Sequence, residues 1–575
     1  MIYQPFLPLD QLTRFTSDQY SDSDMLEVIV KYSGDIMAVG AELDAFVEIL
    51  DVNYAILTIS LANLAKLYQY NEVEYVELPK NLTYFLRESL NSACISQVQR
   101  PTSFNLTGAG VAIGIIDSGI DYTHSDFQNQ DGSTRILFLW DQTIDGNPPM
   151  DFRNGSEYTK AQIDEALASD TPYEFVPSRD TEGHGTAVAG VAAGNGRGSD
   201  SVEKGVAPNA SLIVVKLGHT GHAAFTRTTE IMRAIKYIYA KAQEVNMPVS
   251  INISYGTNNG SHDGSSLFEG YIDNMTERWR SCICVAAGNE ASAGHHYSNL
   301  LTQGATDRVE FSISDNISSL YMTIWKNFVD TMTFSVISPS GRSTGEISPF
   351  QRVTRFTMDG VLVSVLYGQP THYNTAQEIY ILFRGVSGPM PPGLWALSVR
   401  GLDITYGLFD IWLPPLEEVG QETDFLRPTV TNTITIPATA HQVISVGGYN
   451  STLNSMADFS GQGTLRNIDF IKPDLVAPAV NILTTKAGGG YDRFTGTSVA
   501  APFVTGSAAL MMEWGLLQGN DPLLYGQRIK AFLWKGAERL PNLAYPNPVW
   551  GYGSLSLCDT MDLLVEYNQS GFALT

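Results

Sequence analysis

The sequence predicts an α/β fold class: a doubly wound parallel sheet that follows a small N-terminal unit and carries an inserted all-β domain. Short apolar runs rich in β-branched residues end at glycine turns and alternate with helical stretches. From about residue 305 to 425 the helices give way to short alternating runs. Residues 27–80 show a separate, compact α/β pattern.

The length and composition indicate several globular units. A single hydrophobic core stops growing at roughly 250–300 residues, so a chain of 575 residues should form two or three units. With 43% hydrophobic and 17% charged residues, the chain can bury large cores. Lys and Arg number 35 against 60 Asp and Glu, a formal net charge of −25. Nucleic acid and anionic membrane surfaces are therefore poor partners.

The N-terminus and the cysteines indicate in which compartment the protein is made and kept. The first residues lack the basic and apolar segments of a secretion signal, and no window is apolar enough to span a membrane. We therefore expect no secretion signal, no membrane span and synthesis in the cytoplasm. Four cysteines are too few for a disulfide framework. Cys282 and Cys284 lie two apart in an apolar run, as packed thiols do, and a reducing compartment fits them.

The N-terminal unit is expected to be a small split α/β fold of βαββ type. Its segments alternate between extended and helical patterns, namely EVIVKYS, AELDAFVEIL, YAILTISL, NLAKLYQY and VEYVELP. The pattern places the first helix over AELDAFVEIL.

The central α/β domain should be built on a parallel sheet. Its runs are apolar on both faces, as buried central strands are, namely VAIGIID, SLIVVKLG, VSINISYG, CICVAAGN and HQVISVGG. The helices between them are GTAVAGVAAG, TEIMRAIKYIYAKAQE and SVAAPFVTGSAALMMEWG. A functional site in such a domain lies at the carboxyl ends of the strands.

The all-β segment is expected to be an antiparallel β-sandwich or jelly roll. Its runs, separated by Gly, Pro, Ser and Asn turns, are VEFSISD, LYMTIWK, TMTFSVIS, GVLVSVLYG, EIYILFRG, LWALSVRG and YGLFDIWL. The α/β pattern resumes at about residue 430, so the sandwich is an insertion.

Three motifs supply the groups needed to attack an amide. Asp117 ends an apolar strand in GIIDSGIDYTHSDF, His184 opens a small-residue helix in RDTEGHGTAVAG, and Ser498 opens another in FTGTSVAAPFVTG. A hydroxyl nucleophile needs a base to take its proton and a carboxylate to hold that base in one tautomer. The three residues are therefore predicted to form a catalytic triad, in the order Asp, His, Ser.

These segments, together with VAAGNE, resemble the four signature segments of the subtilase family of serine endopeptidases. The resemblance implies a subtilisin-like fold and makes Asn289 the side-chain donor to the oxyanion, beside the Ser498 backbone N–H. Two backbone segments should hold the P1 side chain of the substrate, and glycine at their ends lets the substrate approach closely. These are Ser254, Tyr255 and Gly256, and Ala286, Ala287 and Gly288. One departure is Ala187, which stands where the family usually has a second histidine.

The N-terminal unit resembles the inhibitor-type, ferredoxin-like propeptide of subtilases, which the enzyme removes by self-processing. The segment ISQVQRPTSFNLTGAG resembles the start of a mature subtilase, so processing should fall between about Phe85 and Gln99. The expected organisation is an N-terminal extension, the propeptide, the first part of the catalytic domain, the sandwich and the second part of the catalytic domain. Their boundaries are 1–26, 27–95, 96–304, 305–428 and 429–575.

Within the subtilases the chain resembles the Csp group of clostridial spore-germination proteases. The resemblance rests on WDQTIDG, the NGRG turn, GNEASAGHHY, the inserted sandwich and the missing signal. It implies a spore-associated protease that activates a cortex-degrading hydrolase zymogen, with its own propeptide as a bound inhibitor. The alternative is a propeptide-locked pseudoprotease that acts as a binding or signalling partner. A degradative protease for nutrition would need a secretion signal.

No metal or other cofactor is predicted. Asp126 matches a calcium ligand of secreted subtilisins, but the loop GRGSDSVEKG offers no matching partner. His295 and His296 are a conceivable metal pair, but adjacent histidines in a polar loop are usually not metal ligands.

Overall fold

The computed structural model describes residues 25–51, 53–79, 81–84, 91–218, 226–350, 353–466 and 470–569. These residues form two compact units. The first comprises residues up to 80, 257–267 and 290–432, and the second comprises residues 81–256, 268–289 and 433 onward. Within the described ranges, no helix is both long and apolar enough to cross a membrane.

The N-terminal part of the first unit is a βαββαβ fold. Its antiparallel sheet has the strand order Phe46–Asp51, Tyr54–Ser60, Met25–Tyr32, Val73–Glu77. A helix covers Ile36–Glu42, and two short helical turns cover Leu61–Leu64 and Leu67–Gln69.

The prediction of a helix over AELDAFVEIL was wrong. The helix begins earlier, at Ile36, because the Asp35 side chain accepts a hydrogen bond of 3.1 Å from Ala38 N. Phe46–Asp51 then forms a strand paired with Tyr54–Ser60. Pairing with a neighbouring strand outweighs the helical periodicity of this short segment.

The inserted domain is an antiparallel β-sandwich, as predicted. One sheet has the order His296–Leu300, Leu408–Trp412, Ser319–Asn327, Ala376–Gly385, Val361–Tyr367, Val353–Met358, and the other has Thr306–Ile313, Gly393–Asp403, Thr331–Ile337. Residues of both sheets share one core, in which the ring centroids of Phe383 and Trp395 are 5.7 Å apart. A short helix, Leu416–Val419, follows.

The second unit contains the predicted doubly wound sheet. Its path is Ser455–Met456, Ile444–Asn450, Ser281–Ala286, Val249–Ile253, Ala112–Asp117, Ser211–Lys216, Ile136–Asp141, Ser156–Thr159, and Leu475–Pro478 also pairs with Ile444–Asn450. All five predicted runs form parallel strands. The chain adds later strands on both sides of Ala112–Asp117, so the strand order reverses there. In sheets of this kind, a binding crevice forms at the carboxyl ends of the strands at such a point.

Helices pack against this sheet. The longer ones are Lys160–Leu167, His184–Ala193, Thr228–Glu244, Leu267–Thr276, Thr497–Met512, Gly526–Gly536 and Leu557–Gln569. Shorter helical segments are Asn91–Ala93, Ile95–Val98, Ser125–Phe127, Pro172–Phe175, Arg197–Ser199 and Glu513–Leu517. Ile482–Thr485 and Tyr491–Phe494 form a two-stranded sheet. A small three-stranded sheet has the order Thr226–Arg227, Asn81–Tyr84, Tyr255–Gly256.

Two of the four cysteines are free thiols, as predicted, and the other two form a disulfide that was not predicted. Cys282 and Cys284 are free and buried, as predicted for packed thiols. Cys94 and Cys558, however, form a disulfide. They are 464 residues apart, and only the folded unit brings their two helical segments together, so spacing along the chain gave no sign of the pair.

Candidate active site

Asp117 and His184 meet at the carboxyl end of the central strand. Asp117 is the last residue of its strand, His184 is the first residue of its helix, and both are fully buried. His184 Nδ1 donates a hydrogen bond of 2.5 Å to Asp117 Oδ1, which also accepts one of 2.7 Å from Ser118 N. The carboxylate can only accept, so the proton of a neutral imidazole lies on Nδ1 and Nε2 is left basic.

A second carboxylate, Asp180, fixes both segments, and the sequence analysis missed it. Its Oδ1 accepts from Ser118 Oγ and Gly183 N, at 2.8 and 2.9 Å. Its Oδ2 accepts from Thr186 N and Thr186 Oγ1, at 2.8 and 2.6 Å. Asp180 therefore caps the helix that begins at His184 and joins it to the residue after Asp117. The available signal was an acidic residue four positions before a helix-opening histidine.

Ser498 and His184 both contact the segment that contains Ser254 and Tyr255. The Ser254 hydroxyl donates a hydrogen bond of 2.9 Å to the Ser498 carbonyl. The Tyr255 ring stands edge-on to the His184 imidazole, with centroids 6.4 Å apart. Ser498 Oγ is buried and has no hydrogen-bond partner among the described residues. The helices that begin at His184 and Thr497 also pack together, which brings the predicted triad into one region.

Asn289 is oriented by the residue that precedes Ser498. Its Oδ1 accepts two hydrogen bonds from Thr497, one from the backbone N–H at 3.0 Å and one from the hydroxyl at 3.1 Å. The amide nitrogen of Asn289 is the remaining donor end. The Ser498 N–H belongs to the first helical turn, where N–H groups have no partner within the helix. An amide N–H and a backbone N–H at a helix start are both donors of the kind that binds an oxyanion.

The six residues predicted to bind substrate are buried and follow the carboxyl ends of two strands. Ser254, Tyr255 and Gly256 follow Val249–Ile253, and Ala286, Ala287 and Gly288 end or follow Ser281–Ala286. The Ala287 N–H donates to Val446 O at 2.9 Å, and its carbonyl accepts from Thr435 N at 3.0 Å. Because its N–H is already bonded, Ala287 can offer a substrate an apolar wall but no backbone donor.

Thr435 gives a second reason for glycine at the ends of these segments. A Cβ on Gly256 would lie 2.3 Å from Thr435 Oγ1, and one on Gly288 would lie 2.6 Å from Thr435 Cγ2. Thr435 therefore lies between the two segments.

A strand of the chain itself lies along the segment that contains Tyr255 and Gly256. Asn81–Tyr84 is the middle strand of a three-stranded antiparallel sheet. Tyr84 pairs with Tyr255 and Thr83 with Gly256, while the other edge pairs with Thr226–Arg227. The predicted substrate-binding backbone is thus engaged by the segment that joins the N-terminal unit to the α/β unit.

Asp126, which matched a calcium ligand of secreted subtilisins, accepts hydrogen bonds from three groups of the chain. Asp126 is fully buried, and Gly198 N and Gly196 N donate to its two oxygens at 2.8 and 3.2 Å. The Tyr491 hydroxyl lies 2.9 Å from each oxygen. These three donors occupy most of the roughly four lone-pair positions of the carboxylate, so little of it is left for a cation.

The two adjacent histidines have separate partners. His295 Nδ1 pairs with Glu290 at 2.7 Å, and His296 Nε2 pairs with Asp410 at 2.9 Å. In the described part of the chain, no group of three or more His, Cys, Asp or Glu residues could hold a metal ion.

Comparisons with known proteins agree with this architecture. The profile of the subtilase family (Peptidase S8) matches residues 108–371 and 426–553, and that of the Csp protease B prodomain matches residues 8–80. The solved structure of the Clostridium perfringens CspB protease is 40% identical, covers 82% of this chain and 96% of that chain, and superposes with a TM-score of 0.77.

More distant relatives match parts of the sequence. A PII-type proteinase of Lacticaseibacillus paracasei is 24% identical over 512 residues, which cover 81% of this chain and 25% of the relative. Subtilisin E of Bacillus subtilis is 38% identical over 97 residues, 16% of this chain and 23% of the relative. The chain thus spans about a quarter of the length of the PII-type proteinase. From the two profiles and the CspB structure, the chain belongs to the subtilase family and carries a Csp-type prodomain.

Proposed function

We propose that this chain is a serine endopeptidase that cleaves its own propeptide and then activates a protein zymogen, such as a spore cortex hydrolase during germination. The observation that carries the proposal is the buried hydrogen bond from His184 to Asp117, beside the helix that opens at Thr497. The likeness to the CspB protease supports the germination role, and with it a spore-associated protein.

In this mechanism Ser498 Oγ attacks the peptide carbonyl while His184 Nε2 takes its proton. The buried Asp117 carboxylate holds the imidazole in the required tautomer and stabilises the imidazolium that forms. The Ser498 N–H and the Asn289 amide bind the oxyanion. They act on charge that develops only in the transition state, so they raise turnover more than substrate affinity. His184 then protonates the leaving amine, and water hydrolyses the acyl-enzyme.

The propeptide is proposed to stay bound as an inhibitor after cleavage. The support is the pairing of Asn81–Tyr84 with Thr226–Arg227 and Tyr255–Gly256, because backbone hydrogen bonds on both edges outlast the cutting of one peptide bond.

The test is to incubate the purified protein with a purified cortex-hydrolase zymogen and follow its mass and hydrolytic activity. We expect one defined cut in the zymogen and a gain of activity, neither of which the Ser498→Ala variant should produce. Binding of the zymogen without any cut, by a chain that also leaves itself intact, would instead favour the propeptide-locked pseudoprotease. If the enzyme cleaves itself but leaves the zymogen uncut, only the zymogen is rejected as a substrate.

A further inference from the structure

The helix that carries Ser498 has a proline at the position that would normally bind the Ser498 carbonyl. In the helix Thr497–Met512, each carbonyl normally accepts a hydrogen bond from the N–H four residues further on. For Ser498 that residue is Pro502, which has no N–H and whose ring crowds the carbonyl four residues before it. Ser498 is fully buried, so bulk water cannot bind this carbonyl. Its hydrogen bond has to come from another part of the protein.

A side chain just beyond a central strand supplies this donor. The Ser254 hydroxyl, which is also fully buried, donates a hydrogen bond of 2.9 Å to the Ser498 carbonyl. A hydroxyl has one proton, so the lone pairs of Ser254 Oγ can only accept. They accept from Asn252 Nδ2, at 2.8 Å. The bond from Asn252 thus holds the Ser254 hydroxyl with its proton directed at Ser498.

Asn252 is fixed at its other end as well. It is fully buried, and its Oδ1 accepts a hydrogen bond of 3.0 Å from the Thr505 hydroxyl, whose proton is shared with the Ala501 carbonyl at 3.1 Å. Only one orientation of the amide gives Ser254 a donor and Thr505 an acceptor. Thr505 lies about two turns after Ser498 in the same helix. Each group in this chain of hydrogen bonds therefore donates to the next, from Thr505 to the Ser498 carbonyl.

We propose that Asn252 is a positioning residue for Ser498. Its amide directs the Ser254 hydroxyl to the carbonyl that receives no N–H from Pro502. The carbonyl and the attacking hydroxyl belong to the same residue, so fixing the carbonyl also fixes the point from which the Ser498 side chain extends. In this role the Asn252 side chain does not touch the reacting atoms. The inference rests on the proposed endopeptidase function and adds to it the groups that hold the nucleophile in place.

The rate of self-processing, followed by intact mass in the purified full chain, tests this role. Ser254→Ala removes the donor and should slow processing by about tenfold, the rate equivalent of one hydrogen bond to a buried group. The matched control is Ser250→Ala. Ser250 is equally buried and donates a hydrogen bond of 2.8 Å to another carbonyl of the same helix, that of Thr505.

The control differs in one respect that matters. The residue four positions after Thr505 is Ala509, which has an N–H, so the Thr505 carbonyl keeps its helical donor without Ser250. Ser250→Ala should therefore process at the wild-type rate. Equal rates for Ser254→Ala and Ser250→Ala would overturn the proposal.

A second substitution separates positioning from a general loss of packing. Pro502→Ala returns an N–H to position 502, so the helix can bind the Ser498 carbonyl itself. In the Pro502→Ala background, Ser254→Ala should then slow processing by less than about twofold, against about tenfold in the wild-type background. The same factor in both backgrounds would overturn the proposal, because the lost rate would then not arise from the carbonyl.

Two changes at Asn252 test the amide itself. Asn252→Asp has nearly the same shape, but a carboxylate only accepts and would draw the Ser254 proton away from the Ser498 carbonyl. Asn252→Ala removes the amide without adding a buried charge. Both should slow processing, and Asn252→Asp should be at least as slow as Ser254→Ala. Wild-type rates in variants that are folded by circular dichroism would overturn the role of Asn252.

The wild type and Ser498→Ala distinguish failure of this inference from failure of the proposed function. No self-processing in the wild type, or equal processing in Ser498→Ala, would overturn the endopeptidase function and the positioning role with it. Processing that depends on Ser498 but not on Asn252 or the Ser254 hydroxyl would overturn only the positioning role.

Discussion

The carboxylate of Asp180 joins the segments of Asp117 and His184, and Asp180→Asn tests that role. Each of its oxygens accepts one backbone N–H, from Gly183 or from Thr186. The substitution replaces one oxygen with an NH2 group. In either orientation of the amide, one of these two backbone N–H groups then faces a donor. Hydroxyl groups can rotate away from such a clash, but backbone N–H groups cannot.

The expected cost follows from these contacts. A buried donor without a partner costs about 1–3 kcal/mol. Loss of the negative charge at the helix N-terminus costs about 0.3–1 kcal/mol more. We therefore expect the free energy of unfolding to fall by roughly 1–4 kcal/mol. Because His184 is the first residue of the capped helix, the rate of self-processing should fall as well.

The assay is a denaturant titration in the Ser498→Ala background, which prevents self-cleavage, and a processing time course with Ser498 present. The control is Asp131→Asn, which removes an exposed carboxylate that accepts hydrogen bonds from Ser133 within a turn. An exposed change of this kind should alter stability by at most about 0.5 kcal/mol. If Asp180→Asn matches the control in both stability and processing rate, the positioning role of Asp180 is refuted.

Three further predictions follow from the structure. Asn289→Ala should fold normally and lose roughly 10²–10³ in turnover, and an unchanged rate would remove Asn289 from the mechanism. Chelation of calcium should leave the unfolding temperature unchanged, because the Asp126 carboxylate already accepts hydrogen bonds from Gly198 N and the Tyr491 hydroxyl. A lower unfolding temperature after chelation would contradict this expectation. Tyr491→Phe removes one of these bonds and should lower the free energy of unfolding by about 1 kcal/mol. Burial raises the pKa of the Tyr239 phenol above its usual value of 10.0, so the folded chain keeps a proton that the unfolded chain releases. That contribution to stability is complete below pH 10.0 and is lost as pH rises above it. The denaturant midpoint of the wild type should therefore fall between about pH 9 and about pH 11, and Tyr239→Phe should reduce that fall. An equal fall in the variant would argue against Tyr239 as a source of the pH dependence.

The sequence predicted those features of the fold that are encoded locally. An apolar run buried on both faces is readable from its own residues, and the five such runs form the centre of the parallel sheet. Phe46–Asp51 was misread because its partner strand, not its periodicity, decides its conformation. The Cys94–Cys558 bond was missed because it depends on the packing of two segments 464 residues apart.

The same distinction applies to the site. The segments of Asp117, His184 and Ser498 carry their own motifs, so the sequence could propose them as a set. The cap by Asp180 and the orientation of Asn289 by Thr497 depend on hydrogen bonds between distant segments. The processing window was predicted from resemblance alone, and its first six residues, 85–90, lie outside the described residues.

Intact-mass analysis of three proteins made in the same way tests whether Ser498 is the nucleophile of a self-processing endopeptidase. They are the wild type, Ser498→Ala and Ser507→Ala. Ser507 is the matched control because it lies in the same helix, is equally buried, and likewise has no hydrogen-bond partner for its hydroxyl among the described residues. We expect two fragments for the wild type and for Ser507→Ala, and one full-length chain for Ser498→Ala. Two fragments from purified Ser498→Ala, free of other proteases, would contradict it.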